Sequence, residues 1–69
     1  HLADELAAVA ERHRQKLAAY LEIEARDFPN EPISPERRLQ HLVMKAGIAF
    51  ERHRIAFCDE ALAILKTPL

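Results

Sequence analysis

Phe28-Pro29-Asn30-Glu31-Pro32-Ile33-Ser34-Pro35 is the stretch on which the fold turns. Three of the four prolines of this 69-residue chain fall inside it, and the fourth is Pro68. Proline carries no backbone donor and pushes the residue before it out of the helical region. No other interior position offers such a break. On either side Ala, Leu, Glu, Arg and Lys dominate, and these are strong helix formers. The expectation is an all-α antiparallel two-helix hairpin, with helices over about residues 2–27 and 35–66 and a linker over about 28–34.

Working outward, the first helix spans roughly 39 Å at 1.5 Å per residue. Its stripe is Leu6, Ala10, His13, Leu17, Tyr20 and Glu24, in steps of four and three. Leu2, Val9, Leu21 and Phe28 widen it. The second helix has a defined start. Ser34 suits the N-cap, Pro35 the first helical position, and Glu36 complements the helix dipole. Thr67-Pro68 ends it after roughly 48 Å.

The second helix carries two apolar stripes. One is Leu39, Val43, Ala46, Phe50, His53, Phe57 and Ile64, with Glu60 or Ala61 between the last two. The other is Met44, Ile48, Ile55, Leu62 and Leu65, on the opposite side of the heptad wheel. A helix apolar on two opposite faces is buried on both. The first helix covers one of them. The expectation is that Met44, Ile48, Ile55, Leu62 and Leu65 form a dimer interface, giving a helical homodimer of coiled-coil type. Gly47 sits mid-helix beside Ala46, where it costs about 1 kcal/mol against alanine. Either another helix crosses closely there, or the position simply tolerates a small residue.

Composition excludes several classes. The formal net charge is -1, so no global field draws nucleic acid or an acidic membrane. No run of apolar residues is long enough to span a bilayer. Cys58 is the only cysteine, so an internal disulfide cannot form, and a small chain then looks to a partner for stability. The chain opens on His1 and reads as a piece of a longer protein.

Catalytic chemistry finds no foothold. Only Ser34 and Thr67 carry aliphatic hydroxyls, both at helix ends, and no base stands beside them. No glycine-rich phosphate loop exists. Glu11-Arg12-His13-Arg14 recurs as Glu51-Arg52-His53-Arg54, and a hairpin brings the two copies roughly opposite. A buried His13–His53 pair acting as a pH switch or half a metal site is one reading. The plainer one is core-edge histidines hydrogen-bonded to a glutamate across the hairpin. A zinc site wants about four ligands, and no compact cluster appears. Cys58 precedes Asp59 and Glu60, a poor setting for a reactive thiol. Arg12, Arg14, Lys16, Arg52 and Arg54 make a basic middle, interleaved with Glu11, Glu22, Glu24 and Glu51 into a salt-bridged face. No catalytic, cofactor-binding or metal-binding residue is assigned, no cofactor is expected, and the chain reads as an interaction module. A helical-hairpin module of an unrelated protein is the alternative within that class.

The residues also carry a resemblance. Arg12-His13, Leu17 and Tyr20-Leu21-Glu22 form a charged arm with a spaced leucine and aromatic. Gly47-Ile48-Ala49-Phe50-Glu51 is a small-residue stretch, followed by Phe57-Cys58-Asp59-Glu60-Ala61-Leu62-Ala63-Ile64-Leu65 with its acidic-Ala-Leu ending. Together they resemble the C-terminal domain of PadR-like transcriptional regulators. The resemblance implies a dimerisation domain of a bacterial, cytoplasmic regulator that holds two DNA-binding heads in register. It implies an N-terminal winged helix domain outside this chain, with DNA contacted only through it. Some members respond to small aromatic ligands, and no residue for one is assigned here.

Overall fold

A computed structural model describes residues 1–31 and 34–68. Two α-helices make up the fold, α1 (Leu2–Asp27) and α2 (Pro35–Lys66), packed against each other as a hairpin. Among the described residues there is no strand. The Cα trace measures 55 × 17 × 13 Å, the shape of two helices side by side. Pro32 and Ile33 of the expected linker lie outside the described residues.

The ends follow the local chemistry. Ser34 caps α2, its hydroxyl accepting from the Arg37 backbone N–H at 3.2 Å, with Pro35 at the first helical position. α1 closes through the Phe28 N–H to the Glu24 carbonyl at 2.8 Å. Arg37 reaches back from α2 and donates through Nη2 to the Asp27 carbonyl at 2.6 Å. It thereby satisfies one of the acceptors left open at a helix C-terminus. The same guanidinium lies 4.2 Å over the Phe28 ring, and Phe28 stacks on His41 at 4.7 Å with the planes 8° apart. Arg26 hydrogen-bonds Asp27 at 2.9 Å and holds its carboxyl below the usual carboxylate range. That pair is open to solvent and contributes little.

The seam of α1 is the stripe read from the sequence. Ala10 is buried, and Leu6, His13, Leu17, Tyr20 and Glu24 are half-buried. On α2 the two faces exchange the roles assigned to them. Ile48 is 5% exposed and Cys58 is buried, with Met44, Ile55 and Leu62 half-buried in the same seam. Ile48 therefore packs inside the hairpin, and the dimer interface expected on its face is corrected. Gly47 also turns inward, since a Cβ there would sit 3.4 Å from Tyr20 Cε2. The helix that crosses close to Gly47 is α1.

Two stability measurements check this packing. Ile48→Ala is expected to cost about 2–5 kcal/mol in chemical denaturation, the range for a buried aliphatic truncation. Gly47→Ala is expected to raise stability by up to about 1 kcal/mol, because 3.4 Å is ordinary contact with the ring and alanine suits a helix better.

Candidate interaction surface

The seam between the helices is polar at two levels. His13 of α1 donates through Nδ1 to Glu51 Oε2 of α2, and Lys16 Nζ stands 3.9 Å from Glu51 Oε1. Glu51 is 1% exposed, the most buried polar side chain described. Nearer the turn, His41 of α2 donates through Nε2 to Glu24 Oε2 of α1 at 3.0 Å. The two pairs are reciprocal, with each helix supplying one histidine and one glutamate. Toward the open end, Arg14 bonds Asp59 at 2.6 Å across the helices, in solvent. No buried side-chain nitrogen or oxygen lacks a partner among the described residues.

These pairs explain which face of α2 meets α1. His41, Met44, Ile48, Glu51, Ile55, Cys58 and Leu62 follow steps of three and four, a heptad stripe with two polar members. A count of apolar residues alone breaks that stripe at Glu51. The opposite face carries Leu39 and Val43 at the level of Glu24, and Phe50 near that of His13. Turning it inward would leave Glu24 buried without a partner, which is costly.

The face left outside is the candidate interaction surface. Leu39, Leu42, Val43, Phe50, Phe57 and Ile64 are between 56% and 67% exposed. They run along one side of α2 for nearly its whole length. Of the residues assigned to a dimer interface from the sequence, Leu65 alone is open to solvent, at 46%. His53 lies on the outer face and is exposed, whereas His13 is held by Glu51. The buried His13–His53 pair, one of the two readings of the repeat, is therefore not formed. The glutamate partner across the hairpin is the arrangement that His13 adopts. Cys58 is a buried free thiol.

Among the described residues no group of three or more His, Cys, Asp or Glu is placed to hold a metal. No helix among those residues is long and apolar enough to cross a membrane. A scan against family models matches residues 1–66 to the family described as virulence activator alpha C-term. The chain belongs to that family. Its members are C-terminal domains of transcription regulators. No curated protein and no solved structure matches the chain.

The inner seam is open to test in this family member. Glu51→Ala is expected to destabilise the hairpin by about 2–4 kcal/mol, because it leaves a gap and an unpaired His13. His13→Leu combined with Glu51→Leu is expected to recover most of that loss. A double-mutant cycle by urea denaturation measures it, with a coupling of about 0.5–3 kcal/mol expected between the two positions. A coupling of zero would show that the two side chains act independently.

Proposed function

We propose that the hairpin is the dimerisation and regulatory domain of a bacterial, cytoplasmic transcriptional regulator of the PadR-like type. In this reading it holds two DNA-binding heads in register. The observation that carries it is the outer face of α2, with six large apolar side chains between 56% and 67% exposed on one side of one helix. Complete burial of each contributes about 1.5–3 kcal/mol. Even half of that, over the stripe, is comparable to the whole stability of a small domain at about 5–15 kcal/mol. Soluble monomers rarely leave so long a patch in water. A second copy presents the same stripe, and two-fold closure is the commonest way for a chain to cover its own face.

A dimer of rods also suits the task. Two recognition elements must sit one helical turn of DNA apart, about 34–36 Å, or a multiple of it. A helix of 32 residues is roughly 48 Å long and stiff enough to set such a spacing. The chain itself, with a formal net charge of -1, has no field for phosphate, so DNA contact belongs to the heads. Membrane contact has no place in this reading.

Sedimentation of the unmodified chain at micromolar concentration is expected to show a dimer, with a melting temperature that rises with concentration. Phe50→Glu with Phe57→Glu is expected to weaken the dimer by at least about a hundredfold, equivalent to about 2.8 kcal/mol. A folded monomer for the unmodified chain would overturn self-association and assign the outer face to a different partner.

A further inference from the structure

The two helices meet along two flanks, and one flank carries charge that nothing across it answers. Arg14 of α1 bonds Asp59 of α2 over this flank at 2.6 Å. Steps of seven residues keep to one side of a packed helix. From Arg14 they reach Leu21 and Phe28, and from Asp59 they reach Arg52, Lys45 and Arg38. Flank positions of paired helices ordinarily carry opposite charges that meet across the seam. Here the α2 edge is cationic and the α1 edge opposite it is apolar. Arg38, Lys45 and Arg52 are exposed, and none belongs to an ion pair among the described residues.

Two grooves open along this flank and join at Lys45. One, of about 740 Å³, lies against the turn and has Phe28, Leu42 and Arg38 in its wall. The other, of about 330 Å³, has Ile48 and Ala49 in its wall and runs to Arg52. Of the carboxylates lining them, Glu24 is held by His41 and Glu31 stands at the turn. Ala18 and Ala25 on the α1 side and Ala49 on the α2 side are small and exposed. They let a third helix approach to the usual distance of about 8–10 Å between axes. From Arg38 to Arg52 the edge runs roughly 21 Å, nearly four helical turns, with a cation at each end and one midway. That length, with an apolar floor and a charged edge, suits the helix-in-groove mode of recognition. Phosphate gains nothing from an apolar floor, and a formal net charge of -1 supplies no field for it.

We propose that this flank docks an acidic amphipathic helix of another protein, with carboxylates every seven residues against Arg38, Lys45 and Arg52 and its apolar side on Leu21, Phe28 and Ala49. Docking here is separate from the self-association proposed for the outer face. Phe50 of that face is about 160° round α2 from Arg52.

The probe is a fluorescein-labelled helical peptide of leucine and alanine with three glutamates seven residues apart. It is titrated with the full chain and read by anisotropy. Binding at micromolar chain concentration is expected, and a peptide with three lysines instead is expected to bind at least about a hundredfold more weakly. Lys45→Glu and Arg52→Glu are each expected to weaken binding about tenfold, with the helical circular dichroism unchanged. Replacing the middle glutamate of the peptide by lysine is expected to restore binding to the Lys45→Glu chain to within about threefold. Ala49→Trp fills the groove and leaves every charge in place, so it is expected to abolish binding. Arg12→Glu, beside Val9 on another side of α1, is expected to leave binding unchanged. Phe50→Gln with Phe57→Gln is also expected to leave it unchanged, whatever the oligomeric state. An equal loss from Arg12→Glu, or full binding by Ala49→Trp, rules out the groove in favour of a diffuse field. A loss with the Phe50 and Phe57 variant places the peptide on the outer stripe and overturns the proposal. No binding of the acidic peptide, or tighter binding of a DNA duplex in the same assay, overturns the acidic helix as the occupant.

Discussion

A carboxylate buried between two helices governs this hairpin. Glu51 is 1% exposed, and a charge removed from water is tolerable only with a partner. His13 supplies that partner from the other helix. The second pair, Glu24 with His41, repeats the arrangement with the roles exchanged. Histidine precedes glutamate by eleven residues on α1, and on α2 it precedes glutamate by ten. Each spacing is close to three helical turns, so both members on each helix share one face. Antiparallel packing places each histidine level with a glutamate. Sliding one helix by a turn would break both pairs together. The two pairs thereby hold the seam to one register.

The rest of the structure follows from that choice of face. With Glu51 and His41 turned inward, Gly47 comes against Tyr20 and Ile48 fills the middle of the seam. Leu39, Val43, Phe50, Phe57 and Ile64 are then left on the outside. The two faces of α2 do different jobs. The inner one is specific, because its polar members fit only their counterparts on α1. The outer one is mainly aromatic and aliphatic and stands in water. Near the turn, Arg37 ties the end of α1 to the start of α2 through the Asp27 carbonyl and the Phe28 ring, so the hairpin opens from a braced end.

Membership in a family of transcription-regulator C-terminal domains places this division in context. A regulator needs an element that folds reproducibly by itself and another that joins copies. Under the proposed function, one long helix serves both needs on opposite sides. A partnered polar seam and an unpartnered apolar stripe are what such a division requires.

The sequence by itself determined the helices and their ends. Proline is confined to residues 29–35 and to Pro68, and backbone sterics allow only one reading of that. The Ser34 cap and the seam of α1 were equally legible, since local hydrogen bonding and apolar spacing decide them. It was also legible that α2 is apolar on two sides. Which side would face α1 was not. Apolar periodicity scores Leu39-Val43-Phe50-Phe57 as the better core, and it discards Glu51 and His41 as interruptions. Only the packed hairpin shows those two level with His13 and Glu24. Periodicity measures which surfaces leave water. The partner of a buried charge depends on the register between two distant segments, and that register exists only once they pack.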